Sequence, residues 1–244
     1  MDRIGKGYLV ARTVNEHEYA RKRRAILEAM QRIIHTKGYV PMAIQDILNE
    51  LKISSGAFYH YFDSKEAVLE AYVDMICTES GKVLHPVVHD PQRSAIQKLQ
   101  GFLGTLDHIR SARKAAVIKL QRIWYSDANA VVRQRVDQAI FDQRSQMLTE
   151  VVHQGIREGV FTFPYPDRAG EVLMSLLWGM GTALGTFMLT ITPQSDASSC
   201  IAHIIANVDS CIEAMERVLA APPNSLKRTD VEVVKEWVAA LQAE

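Results

Sequence analysis

Four small residues, Ser54-Ser55-Gly56-Ala57, are followed closely by Tyr59-His60 and then by Lys65. Residue types in that order suit contact with phosphate oxygens. Hydroxyls and free amides at a helix start donate to anions, and side chains this small let the backbone come close. Tyrosine and histidine one turn later add donors, and lysine adds a point charge. This is recognition chemistry rather than reaction chemistry. The chain has no nucleophile elbow, phosphate-binding glycine loop, His-Glu-x-x-His motif or paired-carboxylate constellation, so it is not read as an enzyme. His85 and His89 stand four apart but Pro86 interrupts them, and His108 is no third ligand on their helix. No metal and no cofactor are expected. Cys77, Cys200 and Cys211 show neither paired metal spacing nor a disulfide framework, and read as packing thiols in a reducing compartment.

The elements that must hold this stretch can be placed from periodicity and punctuation. A first helix is expected from Glu16 to Lys37, because Ile26, Met30 and Ile33 recur on one face and Gly38 suits the residue after a helix end. A second follows Pro41 with Ile44, Ile47, Leu48 and Leu51 inward. Ser54 caps a short third helix that buries Phe58, Tyr61 and Phe62 and turns Tyr59 and His60 outward, and Ser64 caps a fourth. Beyond Pro91, helices are expected near residues 92–109, 112–124, 128–158, 166–192, 196–220 and 229–242, with breaks at Asp127, Gly159, Pro164, Pro193 and Pro222-Pro223. No run alternates as strands do. The chain is therefore all-α. A loose arm (1–15) precedes a three-helix helix-turn-helix domain (16–65), and a larger helical domain (66–244) follows.

Net charge is zero over 244 residues, yet it is unevenly spread. Residues 1–65 hold eleven Lys/Arg against seven Asp/Glu, or +4, and the remainder holds 17 against 21, or −4. A basic head on an acidic body fits a head that meets a polyanion. Arg21-Lys22-Arg23-Arg24 concentrates that charge early in the first helix, and Arg3, Lys6 and Arg12 add to it in the arm. The arm either follows a DNA groove or stays free. From Val172 to Ser195 no residue is charged, a length that could span a bilayer. Ser175, Gly179, Gly181, Thr182, Gly185, Thr186, Thr190, Thr192 and Pro193 dilute it, and no basic flank follows, so a buried or subunit-interface helix is expected instead. No apolar signal peptide opens the chain, and a cytoplasmic location is expected.

The run Lys52-Ile53-Ser54-Ser55-Gly56-Ala57-Phe58-Tyr59-His60-Tyr61-Phe62-Asp63-Ser64-Lys65-Glu66-Ala67-Val68-Leu69 closely resembles the signature of the tetracycline-repressor (TetR) family. That signature reads approximately Gly-Val-Ser-x-Gly-x-Leu-Tyr-x-x-Phe-x-x-Lys-x-x-Leu. The segment from Ala25-Ile26-Leu27 to Gly38-Tyr39, and Asp46-Ile47, match the family as well. The resemblance covers roughly residues 20 to 70. Two positions depart from it: Lys52 replaces the usual turn glycine, and Met42 stands where a threonine cap often begins the second helix. Loss of that cap is worth about 1 kcal/mol. The resemblance implies that Ser54, Ser55, Gly56 and Ala57 lie at the major groove. It also implies that Tyr59 and His60 meet the backbone or a base, and that Lys65 pairs with phosphate. Lys52, Arg21 and Arg24 are further phosphate candidates.

For the body, the resemblance implies a homodimer whose last two long helices form the contact, reading a palindromic operator in double-stranded DNA. Leu173, Leu177, Met180, Leu184 and Ile191, beside Ile201, Ile205, Val208 and Ile212, form the candidate stripes. It also implies a small-molecule effector held among the fourth to eighth helices, whose binding releases a repressor. Phe102, Leu106, Trp124, Tyr125, Met147, Met174 and Trp178 are the candidate lining, and their character points to an apolar or aromatic effector. The rival reading is a helical protein-interaction module that binds no DNA.

Overall fold

The computed structural model describes the backbone of residues 5–112, 114, 118 and 123–243, with side chains from residue 16 onward except that of Ala112. Among these residues there is no strand. The helices are α1 (Gly5–Ile34), α2 (Ile44–Leu51), α3 (Ser55–Tyr59), α4 (Lys65–Val88), α5 (Ala95–Ala112), α6 (Ala130–Arg157), α7 (Ala169–Met188), α8 (Ala197–Val218) and α9 (Val231–Gln242). Short 3-10 turns at Asp127–Asn129 and Pro166–Arg168 precede α6 and α7. The helix expected over 112–124 falls mostly outside the described residues. The backbone of residues 5–15, expected as a loose arm, continues α1 toward the N-terminus. After Gly5 and Gly7 that stretch holds ordinary helix formers such as Leu9, Ala11 and Arg12.

The chain divides into two compact units, Met1–Ile76 with Ile123–Arg135, and Cys77–Arg122 with Val136–Glu244. The first unit is larger than the expected 16–65 domain because a distant segment completes it. Asn129 is fully buried there. Its Oδ1 accepts from the Tyr39 amide at 2.8 Å, and its Nδ2 donates to the Ile34 and Ile123 carbonyls at 3.1 and 3.0 Å. The Val40 amide donates to the Ala128 carbonyl at 2.9 Å. One buried amide thus satisfies the carbonyl at the end of α1 and the turn that follows. Gly38 adopts φ +85°, and a Cβ there would sit 2.6 Å from that of Ala128. Ile26, Met30, Ile34, Ile47, Phe58, Phe62, Val68, Leu69 and Tyr72 fill this unit's core.

The second unit is built on Leu84, Leu99, Phe102, Leu148, Val152, Leu173, Met174 and Met215. A second cluster joins Leu184, Ile191, Cys200 and Ile204 to Val234, Trp237 and Val238 of α9. Helix α7, uncharged from Val172 onward, supplies both clusters. With the preceding turn, its span Pro166–Met188 is long and apolar enough to cross a membrane by length and composition. Only 22% of an 18-residue window of it is buried within the chain, where Leu173, Met174 and Leu184 turn inward. At Gly170 a Cβ would lie 1.8 Å from the Ser145 carbonyl oxygen, so α7 approaches α6 closely only because no side chain intervenes. Glu216 on α8, also buried, accepts from the Leu226 amide and the Arg228 guanidinium, both at 2.8 Å, and so ties down the loop between α8 and α9.

Candidate nucleic-acid interface

The turn between α2 and α3 takes the shape that its residues allow. Lys52 ends α2 in the left-handed region at φ 53°, and its amide donates to the Leu48 carbonyl. The geometry that glycine normally supplies is therefore kept by a lysine, at about 1 kcal/mol of backbone strain. Ser54 then caps α3, its Oγ accepting from the Ala57 amide at 3.2 Å. Phe58 is fully buried and anchors the short helix, leaving Ser54, Ser55, Gly56, Tyr59 and His60 exposed. Open space surrounds Gly56, with nothing within 4 Å of a Cβ built there. Ser64 caps α4 through the Ala67 amide at 3.0 Å.

At the start of α2 the side-chain cap is absent, as Met42 implied. Met42 is itself buried, and the cap position falls on Ala43. The Asp46 carboxylate offsets this loss by accepting the Ala43 amide at 2.7 Å and the Lys37 ammonium at 2.8 Å. The Ala43 amide first, and then Lys37, hold its pKa below the usual carboxylate range.

Lys65 does not present a free ammonium. Its Nζ donates to the Tyr39 carbonyl at 2.7 Å and lies 4.1 Å from the centre of the Tyr39 ring. Burial pushes its pKa down. The Tyr39 hydroxyl donates to Glu66 at 3.1 Å, and Glu66 also pairs with Arg135. Burial, and then the Glu66 charge, push the Tyr39 hydroxyl up to about 12. The residue expected to meet phosphate is thus the clamp between the α4 start and the turn after α1.

The basic run is less uniform than its sequence. Lys22 pairs with Glu18 at 2.9 Å and Arg24 with Glu28 at 3.0 Å, both on the open face of α1. The Arg23 guanidinium lies 4.8 Å from the centre of the Phe62 ring, and Arg21 is exposed. Tyr19, which the sequence reading passed over, joins His60 and Tyr61 in an aromatic cluster with ring centroids 4.9 to 5.8 Å apart. Tyr61 is accordingly half-buried rather than a core residue. A tyrosine two residues ahead of the basic run was the available signal.

The body candidates divide. Phe102, Met147 and Met174 are buried in one cluster, with Leu106 and Trp178 packed against it. Trp124 and Tyr125 belong to the first unit instead, where Arg133 donates to the Trp124 carbonyl at 2.7 Å and its guanidinium lies 5.4 Å from the Tyr125 ring centre. Of the dimer stripes, Leu173, Leu184, Ile191 and Ile212 are buried within the chain and offer little surface to a partner. Leu177, Met180, Ile201, Ile205 and Val208 are half-buried. The helix faces turned to solvent carry Ser175, Gly179, Thr182, Ala183 and Thr186 on α7, and Ala202, His203, Ala206 and Ser210 on α8.

A two-helix unit with a tight turn, a capped short second helix and exposed small residues at its start is a helix-turn-helix of the DNA-binding class. Residues 26–72 match the family model described as bacterial regulatory proteins, tetR family. Over this domain the chain is similar to the TetR family, and the relatives that share the segment are HTH-type transcriptional regulators. It is 45% identical over 49 residues to an uncharacterised HTH-type regulator of Lactococcus lactis, covering 20% of this chain and 25% of that protein. It is 33% identical over 94 residues to the regulator EthR of Mycolicibacterium smegmatis, covering 36% and 43%. To the repressor KstR2 of Mycobacterium tuberculosis it is 26% identical over 148 residues, covering 57% and 69%. The chain thus spans less than half the length of the first two. Its fold is similar to that of SmeT solved with triclosan, with a TM-score of 0.58 and 19% identity over 86% of this chain and 96% of that one. For reduced Escherichia coli NemR the figures are 0.54, 17%, 82% and 98%.

Proposed function

We propose that this chain is a cytoplasmic, ligand-responsive repressor that binds a palindromic operator as a homodimer. The exposed capped start of α3, set in a basic unit that matches the TetR model, is the observation that carries this reading. Ser54, Ser55, Gly56 and Ala57 enter the major groove, while Tyr59, His60, Lys52 and Arg21 take phosphates beside it. Two copies are needed because one such helix reads only a few base pairs. The solvent-facing small residues of α7 and α8 support a close helical contact between copies, with Leu177, Met180, Ile201, Ile205 and Val208 at its margin. A small effector held beside Leu106 and Trp178 shifts the equilibrium toward a form that binds DNA less tightly. SmeT, similar in fold, was solved with the small aromatic molecule triclosan, and KstR2 is a repressor. The test is a gel shift with DNA flanking the protein's own gene. A salt-sensitive complex that resists nonspecific competitor is expected, and its absence overturns the proposal.

A further inference from the structure

Within the second unit, α4, α5 and α6 enclose a group of polar side chains that no feature above uses. Arg144 on α6 donates from Nη2 to the Ser80 hydroxyl at 3.1 Å, yet its buried Nε has no hydrogen-bond partner. The neighbouring Gln143 donates from Nε2 to the Cys77 carbonyl at 3.0 Å, and its buried Oε1 is likewise unpartnered. A second guanidinium, that of Arg110 on α5, is close enough to oppose the charge on Arg144. Burial first and the Arg110 charge second push Arg144 down to about 10, and only the Cys77 thiol acts the other way. Arg110 keeps solvent contact by area, but surrounding protein desolvates it and lowers its pKa, with Asp107 alone opposing. Among the described residues no carboxylate counters Arg144.

A desolvated guanidinium with an unused buried donor, facing a second like charge, is costly unless an anion joins it. Apolar residues stand beside both on the same helices, with Asp107 also near Arg110. Phe141 and Met147 stand one turn either side of Arg144, and Leu106 stands one turn before Arg110. Phe141 also meets Trp178 edge-on, with ring centroids 6.3 Å apart. We infer that Arg144 and Arg110 form a carboxylate-binding subsite, and that the effector is an apolar carboxylic acid whose tail lies along Phe141, Met147 and Leu106. This rests on the effector-responsive reading above and narrows its apolar effector to an anionic one. The carboxylate accepts from the Arg144 Nε–H and offsets one of the two positive charges, and planar guanidinium geometry favours it over a point anion.

The experiment is a thermal melt of the full chain, without DNA, against alkanoates from acetate to octanoate, the matching primary amides, and inorganic phosphate. Carboxylates are expected to raise the melting temperature by about 2–4 °C or more, increasingly with chain length, while the amides and phosphate do not. Arg144→Met and Arg110→Met are each expected to lose about tenfold or more in apparent carboxylate affinity. Arg144→Met without ligand should melt no lower than the parent, since it removes an uncompensated charge. No carboxylate shift, an equal shift from the amides, a shift from phosphate alone, or an undiminished shift in Arg144→Met would each overturn the inference. A gel shift on the same preparation separates the two readings. A DNA complex without a carboxylate response refutes only the subsite, and a carboxylate response without a DNA complex refutes only the regulator.

Discussion

Lys52 carries two physical roles that a single substitution can separate. Its left-handed backbone is strained, and its exposed ammonium stands next to the start of α3. Lys52→Gly relieves the strain and should stabilise the free protein by about 0.5–1 kcal/mol, read as a higher denaturation midpoint. If the ammonium meets phosphate, the same variant lowers the salt slope of operator binding by about one unit. Tyr59 is exposed at 51%, so Tyr59→Ala should leave the melting temperature alone while weakening binding across operator sequences. Lys65 behaves differently. With its Nζ on the Tyr39 carbonyl, Lys65→Met should lower stability by about 1 kcal/mol and leave the salt slope unchanged. A reduced slope with unchanged stability would restore the phosphate role.

At the scale of elements, the first unit depends on a segment that lies far along the chain. Asn129 makes three buried hydrogen bonds to Tyr39, Ile34 and Ile123, and its removal strands their backbone groups. Asn129→Ala should therefore cost about 2–3 kcal/mol, measured by urea denaturation, although the residue is 57 positions beyond the end of the matched family segment at 72. Much about the elements was legible beforehand. The caps at Ser54 and Ser64, the end of α1 at Gly38 and most helix limits follow from local chemistry that the chain states directly. The Asn129 pin was not legible, because a buried amide and a surface turn residue look alike until the groups around them are known. The same holds for Lys65, whereas the ion pairs of Lys22 with Glu18 and of Arg24 with Glu28 lie four residues apart on one helix and follow from local spacing.

For the molecule as a whole, the dimer proposal shifts from the large apolar side chains to the small ones beside them. Ala206 is on the exposed face of α8. Ala206→Glu would set like charges against each other across a two-fold contact, and light scattering should show a monomer where the parent is a dimer, with little change in helix content. A dimer that survives this change places the contact elsewhere.

By itself the sequence determined an all-α chain and a basic helix-turn-helix with a TetR-like signature, because periodicity, caps and the Ser-Ser-Gly-Ala turn act through neighbours a few residues apart. Only the tertiary structure decided which apolar residues of α7 and α8 face inward, which cations are already engaged, and that Arg110 and Arg144 oppose one another. The facing of α7 and α8, the Lys65 clamp on Tyr39 and the Arg110–Arg144 opposition arise between elements, where burial and charge depend on residues well beyond one helical turn, and no local pattern encodes that distance.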